Sequence, residues 1–362
     1  MKLPVKKTLL RLLRARQRAR WNAPDIAREP LTSAEKMQVD AIWGRIWSKP
    51  NYRWHEHFKR VNEEFDPRYL PVDTFFLDLL PRLSNLPLVR AWEDKSYCCS
   101  RFPETPFPAM AAACIDGTLY DKDLVPCDYE RVWSAVEKLE VVFVKPSIGS
   151  CQGLGAYKLN ASEVGGADEL ARILSDSGEN YVIQELITQH EVLASLNSSS
   201  VNIIRMNTVR LGEGDPFSAN ATIRFGIPGY ATDVAYVDGV ETVRVLGLTE
   251  EGVVRGSFFD QDGNKVPLSE LSPSLGGTVL PGFDRAQEVC LAMHRRLHHF
   301  GMVGFDVAIT DKAEPVVIEM NLNGPGVRFY QYANGPFFGE RTEEVIEWCR
   351  NRTPRERPWE LS

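Results

Sequence analysis

The sequence predicts an α+β protein built from lobes, not a doubly wound parallel sheet. Three observations carry this. β-rich runs crowd the chain from residue 140 onward. Helical patterns lie among them without regular strand–helix alternation. The last two runs, "MVGFDVAI" and "PVVIEMN", are joined only by "TDKAEP", a connection suited to antiparallel neighbours.

The elements follow in order. "VKKTLLRLLRARQRARW" sets Leu9, Leu10, Leu12 and Leu13 among arginines. It reads either as an amphipathic helix touching anionic lipid or an acidic partner, or as a solvated helix against the body. Residues 33–60 read as helical and aromatic-rich. Pro67, Pro71, Pro81 and Pro87 then punctuate the chain, so no long element is expected across 65–90. "LPLVRAWEDKSYCCSRF" leads from a short strand into a helix, with Asp94 near its start. "VVFVKPS" is a strand stopped by Pro146; "YVIQELI", "VNIIRMNTVRL" and "SANATIRFG" are further strands. "RAQEVCLAMHRRLHHFG" is a helix ending at Gly301, and "RTEEVIEWCRNR" is a closing helix.

Bulk composition bounds the class. With 362 residues, 43% hydrophobic and 25% charged, the chain is ordinary globular material, large enough for two or three lobes. Its net charge of −7 hides eight basic and no acidic residues in 1–20, so the remainder carries about −15. That acidic body argues against a nucleic-acid binder. No apolar run reaches the roughly 20 residues needed to span a bilayer. The start lacks the apolar core and cleavage site of a secretory signal. Seven cysteines without a CxxC pair read as reduced thiols, so a cytoplasmic location is expected.

The chemistry-bearing residues sit late. In "GFDVAITDKAEPVVIEMNLNGPG" two apolar strands carry Asp306, Glu319 and Asn321. A hairpin sets Asp306 beside Glu319, and Asn321, two residues on, shares the face. Three oxygen ligands are costly to bury unneutralised, and Mg²⁺ removes that cost with few protein ligands. Polar strand ends facing solvent are the alternative. "FVKPSIGSCQGLGAYKL" puts Lys145 at a strand end, then Ser147, Gly149, Gly153 and Gly155. These glycines form either a phosphate-covering flap or a flexible hairpin. They are neither a P-loop nor a dinucleotide fingerprint. In "YVIQELITQHE", Gln184, Glu185, His190 and Glu191 reach toward a purine edge or ribose, or simply end a strand. Arg205 and Arg224 lie in strand patterns and need anionic partners, either a polyphosphate or structural carboxylates. His294 and His298 share a helical face but lack the HExxH glutamate, His55 and His57 lie in an aromatic helical stretch, and Cys151 sits in the flap.

This order resembles the ATP-grasp superfamily, and more narrowly the sugar-transfer-associated ATP-grasp family. The narrower likeness rests on "EFDPRYLPVDTFFLDLLPRLSN", "DKSYCCSRF…PFP", "KPSIGSCQGLG", "QELITQHEVLASLNSSSVNIIRMNTVR" and "VGFDVAI…IEMNLNGPG", about residues 60–335. The resemblance implies the ATP-grasp fold, two α+β lobes clasping ATP, after a short mainly helical N-terminal region. The divisions implied are 1–90 for that region, 91–187 for a small lobe with the flap, and 188–352 for a large lobe with the Mg²⁺ site. It implies ATP contacts from Lys95, Lys145, Ser147, Gly149, Gly153, Gly155, Gln184, Glu185, Ile187, His190, Glu191 and Asn202. Arg205 and Arg224 would neutralise the triphosphate or the reaction intermediate. Asp306, Glu319 and Asn321 would hold two Mg²⁺ ions, with Mn²⁺ an alternative. Two departures stand out. "GYATDVAYVDGVETVRVL" lacks the Asp-Asn and Gly-Gly pairs that relatives often carry. The segment before Asp94 is short and helical, unlike the α/β lobe of many ATP-grasp ligases.

The expected activity is a carboxylate–amine ligase working through an acyl phosphate and releasing ADP and phosphate. The alternatives are a phosphotransferase on a hydroxyl or sugar, and a nucleotide-binding protein without turnover. Arg328, Tyr330 and Gln331, just past the Gly-Pro-Gly turn, are expected at the acceptor substrate. The expected partners are a small-molecule carboxylate and amine, with no nucleic acid.

Overall fold

A capping box starts the first helix of the computed structural model, which describes residues 27–355 apart from 47–49, 150–154, 231, 233 and 238–239. The basic segment 1–20, Cys151 and Gly153 thus lie outside the described residues. Thr32 accepts the Glu35 N–H, and Glu35 returns a bond to the Thr32 N–H, at the head of α1 (Ser33–Trp43). Asn51 caps α2 (Tyr52–Asn62), which buries Trp54, His55, His57, Phe58 and Val61. His57 Nδ1 donates to the Ala27 carbonyl at 2.9 Å, so its Nε2 accepts from the Tyr332 hydroxyl at 2.7 Å. It is a structural histidine, and burial pushes its pKa down.

Two expectations fail between residues 65 and 95. The chain is helical without a break from Val72 to Leu83. Phe75–Leu79 forms a π turn, with Leu80 N–H bonded to the Phe75 carbonyl. That widened turn lies just before Pro81, where a regular helix would meet the proline's missing donor and ring clash. No strand precedes Asp94 either. Leu86–Leu88 is a 3₁₀ turn that takes Pro87 in its first positions, and Val89–Trp92 is a helical turn. Asp94 does open an element, accepting the Ser96 N–H.

This region shares one apolar core with the late strands. Trp43, Phe58, Phe75, Leu80, Cys98 and Phe102 join Ile204, Phe305, Tyr332 and Cys349 in a single cluster, so packing has no break at residue 90. Gln331 is its polar clasp. Its Oε1 accepts the Leu70 N–H at 2.7 Å, and its Nε2 donates to the carbonyls of Leu70 at 3.0 Å and Val327 at 2.8 Å. Gln331→Leu strands both buried Leu70 groups. We expect a loss on the order of 3 kcal/mol, read as a lowered chemical-denaturation midpoint at unchanged slope.

Five strands form the smaller sheet: β1 (Met110–Ile115), β2 (Thr118–Asp121), β3 (Val141–Pro146), β4 (Tyr157–Asn160) and β5 (Tyr181–Glu185). The order is β2-β1-β5-β3-β4, antiparallel throughout. One face packs on α3 (Tyr129–Leu139) and α4 (Ala167–Leu174) through Ala112, Val142, Val144, Ile183, Val132, Val136 and Leu170. Alternation turns Phe143, Lys145, Val182 and Gln184 to the other face.

The larger sheet runs β12-β11-β10-β7-β6-β13-β14, again antiparallel. Its strands are β6 (Ile203–Val209), β7 (Phe217–Phe225), β10 (Arg244–Leu248), β11 (Val254–Phe259), β12 (Lys265–Pro267), β13 (Met302–Ile309) and β14 (Pro315–Asn321); β8 (Ala235–Val237) and β9 (Val240–Thr242) pair separately. Ile204, Met206, Ile223, Phe305 and Val307 turn one face toward α5 (Phe283–Arg296), which buries Ala286, Cys290 and Met293 against them. α6 (Arg328–Asn334) packs against β7, β10 and β11, and α7 (Thr342–Arg350) closes the described chain.

The α5 helix stops at Arg296, not at Gly301, because Leu297 N–H closes its last turn on the His294 carbonyl. His294 Nε2 donates to the Phe300 carbonyl at 2.9 Å, leaving Nδ1 to accept from Thr208 at 2.7 Å. Burial pushes its pKa down to about 4. With His294 turned into the core and His298 exposed, the two do not share a metal site. No described helix is long and apolar enough to cross a membrane.

Candidate functional site

Strand register lays a polar row across the larger sheet, on the face away from α5. Glu319 on β14 lies opposite Asp306 on β13, Asp306 opposite Arg205 on β6, and Arg205 opposite Thr222 on β7. Two residues along, Asn321 lies opposite Gly304, and Gly304 opposite Asn207. In the other direction Ile203 faces Arg224. Because side chains alternate, all of these share one face.

The charges interlock. Arg205 grips Asp306 with Nε on Oδ1 and Nη2 on Oδ2, and its Nη1 donates to the Pro325 carbonyl at 2.9 Å. Burial works against the ionised Asp306, but Arg205, helped by Arg224, outweighs it and holds the carboxyl below its usual range. Asn321 Nδ2 donates to Asp306 Oδ2 at 3.2 Å. Gly304 has a steric reason: an added Cβ would lie 2.7 Å from the Pro325 ring and 3.0 Å from Asn207 Oδ1.

Lys95 approaches from the N-terminal region, its Nζ 3.4 Å from Glu319 Oε2. Its backbone N–H bonds the Ser147 carbonyl at 3.0 Å, tying it to the end of β3. Lys145, on β3, is buried and makes no ion pair among the described residues. Burial first, and then Lys95, push its pKa down to about 8, while Glu319 and Asp306 pull the other way. On the same side, Ser147 Oγ and Gln184 Oε1 are buried without hydrogen-bond partners among the described residues. Gly149 and Gly155, on either side of residues 150–154, take φ of +67° and +75°, conformations that favour glycine.

Other expected contacts sit differently. Glu185 turns back to accept the Ala109 N–H at 2.8 Å. Ile187 lies half-buried in the linker after β5, and Glu191 is exposed. His190 Nδ1 caps the short Glu191–Ala194 helix by accepting the Val192 N–H, so only its Nε2 stays available. Asn202 is fully buried; its amide donates to the carbonyls of Leu193 and Asn197, each at 2.7 Å, while its Oδ1 has no hydrogen-bond partner among the described residues. Gln331 leaves the substrate set because both ends of its amide are committed to the Leu70 and Val327 backbone. Arg328 donates to the Gln261 carbonyl at 3.2 Å and stacks on Phe329. Tyr330 is buried beside Gly326.

Sequence reasoning missed three features of this face. Asn207 and Thr222 lie in the polar row with buried side-chain atoms unpartnered among the described residues. Phe143 and Val182 share the Lys145 side of the smaller sheet. Glu93 reaches the loop after β14. No short motif marks any of them.

The donor set fits a hard cation and a phosphate chain. Asp306, Glu319 and Asn321 present oxygen ligands, and two carboxylates with an amide suit Mg²⁺ sharing its shell with phosphate and water. Among the described residues there is no cluster of three His, Cys, Asp or Glu to make a full protein cage. The buried Lys145 and the buried Ser147 and Gln184 atoms, without partners among the described residues, ask for an anion and a polar ligand.

Comparison with known proteins places this arrangement. No curated protein matches the chain. Among solved structures, the ATP-grasp ligase PsnB complexed with a minimal precursor is 14% identical, with a TM-score of 0.43, covering 73% of this chain and 64% of that one. The D-alanine–D-alanine ligase from Coxiella burnetii is 13% identical with a TM-score of 0.41, covering 74% and 60%. Biotin carboxylase from Campylobacter jejuni is 12% identical with a TM-score of 0.44, covering 75% and 48%. The chain thus spans less than two thirds of the length of each. The model of the sugar-transfer-associated ATP-grasp family matches residues 167–347, half of the chain, taking in Gln184, Arg205, Arg224, Asp306, Glu319 and Asn321. Lys95 and Lys145 precede that match, and the fold brings both near Glu319. The chain belongs to the sugar-transfer-associated ATP-grasp family.

Proposed function

We propose that this protein is an ATP- and Mg²⁺-dependent ligase that joins a carboxylate to an amine and releases ADP and phosphate. The carrying observation is the pair of buried lysines, Lys95 and Lys145, from two parts of the chain beside Glu319 and Asp306, Lys145 making no ion pair among the described residues. A phosphate chain between them supplies the missing anion.

In this reading the small lobe (91–187) and the large lobe (188–352) hold the nucleotide between their facing sheets. Lys145 and Lys95 bind the phosphates. Gln184, beside Phe143 and Val182, reads the base edge. The glycine-rich segment from Gly149 to Gly155 would cover the phosphates and keep water from a reactive acyl phosphate. A magnesium ion held by Asp306, Glu319 and Asn321 would neutralise charge on the phosphate oxygens. Arg205 is held in orientation by Asp306, and it and Arg224 gather charge on the transferring group. A substrate carboxylate attacks the γ-phosphorus and displaces ADP. The amine then adds to the acyl carbon, loses a proton and expels phosphate. Tyr330 and Arg328 would contact the acceptor.

The test is ADP release measured against pooled carboxylic acids and amines, with mass spectrometry of the products. Release that needs both an acid and an amine, with an amide product, is the expected result. A phosphorylated product from one substrate would replace the ligase with a phosphotransferase. No turnover with any pool, despite nucleotide binding, would leave a binding protein.

A further inference from the structure

Glu93 sits just after the Val89–Trp92 turn and two residues before Lys95. Its Oε1 accepts the Leu322 N–H at 2.6 Å and the Asn323 N–H at 3.3 Å. These are the first two residues after Asn321, where β14 ends. The same short stretch bonds the flap base through the Lys95 N–H and reaches Glu319 through Lys95 Nζ. Residues 93–95 therefore touch the flap base, the acidic strand and the loop beyond it.

We infer that Glu93 is a positioning residue: through the Leu322 and Asn323 amides it extends the hold on β14 past its last ladder pair and so fixes the Asn321 side chain where a divalent cation binds. The inference rests on the metal assignment above.

Three arguments support it. Two successive N–H groups converging on one carboxylate oxygen form a charge-assisted grip stronger than a neutral bond. The chain beyond is Asn323-Gly324-Pro325-Gly326, outside any regular element, so no ladder secures the strand end from that side. The carboxylate also sits at an electrostatic cost. Burial pushes its pKa up and Glu319 pushes the same way, while the two N–H bonds and Lys95 oppose them. A residue needed only to fill space there would be better neutral.

The test uses the full chain and two variants, Glu93→Ala and Glu93→Gln. Three quantities are read: amide hydrogen exchange at Leu322 and Asn323, Mn²⁺ affinity in the presence of ADP by paramagnetic resonance of the free ion, and thermal midpoint. Glu93→Ala is expected to speed exchange at both amides about tenfold and to weaken Mn²⁺ binding about 10- to 100-fold, the usual size for loss of an outer-shell partner. Glu93→Gln keeps an acceptor oxygen in place and should restore both to within a few-fold. Faster exchange with unchanged Mn²⁺ affinity overturns the inference and leaves Glu93 a structural tie. Wild-type exchange and affinity in Glu93→Ala overturn it outright. If the wild-type chain with ADP binds no Mn²⁺, the metal assignment itself fails, and the inference falls with it.

Discussion

Glu319→Ala is expected to cut ATP turnover by about 10²- to 10³-fold at an almost unchanged melting temperature, and Asp306→Ala to lose both activity and stability. The difference lies in what each carboxylate touches. Glu319 keeps 31% of its side chain exposed and meets Lys95 at 3.4 Å, a loose contact whose loss is small for the fold. Its loss from the metal site forfeits several kcal/mol of charge stabilisation, which sets the rate effect. Asp306 is buried and gripped at both oxygens by Arg205. Removing it leaves a buried guanidinium uncompensated, at about 3–5 kcal/mol. Activity assays beside calorimetry check both. Near-normal turnover in Glu319→Ala removes the metal assignment. An unchanged melting temperature in Asp306→Ala would mean that Arg205 is not held as described. A double replacement, Arg205→Met with Asp306→Leu, should recover much of the stability and none of the activity.

What was legible in the sequence follows from how local the signal is. Asp306, Glu319 and Asn321 were readable as one face because strand period and a five-residue turn leave little freedom between them. Antiparallel lobes were readable for the same reason. The Asp306–Arg205 grip was not, because it joins strands 101 residues apart in the chain. Gln331 looked like a ligand-binding amide, but both ends of it hold the backbone of Leu70, 261 residues away in the chain, which no pattern announces. Prolines at 81 and 87 were read as breaks; the chain instead takes Pro81 in the helical turn just after a π turn and Pro87 in the first positions of a 3₁₀ turn. Glu93 stands beside the readable Asp-Lys pair, yet its role depends on a loop 229 residues away. Short-range periodicity survives in sequence; long-range polar satisfaction does not.

Lys145→Met is expected to stabilise the ligand-free protein while abolishing the thermal shift produced by MgADP. Burial and the neighbouring Lys95 lower the Lys145 pKa to about 8 from an ordinary 10.5. That displacement corresponds to about 3 kcal/mol spent on keeping the ammonium charged in the folded state. The cost is fully present below about pH 8, where both folded and unfolded chains hold the proton. Between about pH 8 and 10.5 only the unfolded chain still binds it, so stability from this group rises with pH across that window. Methionine matches the stem in length, carries no charge, and should remove the cost at neutral pH. Nucleotide binding has the opposite slope. In the proposed function the phosphate chain needs the ammonium, so affinity should fall as pH climbs through 8, and bound nucleotide should pull the lysine back toward its ordinary value. Melting curves from pH 7 to 10.5, with and without MgADP, separate the two effects. If Lys145→Met melts lower than the wild type without ligand, the lysine is paid for by a partner inside the protein. A full MgADP shift in that variant would mean the phosphates lie elsewhere.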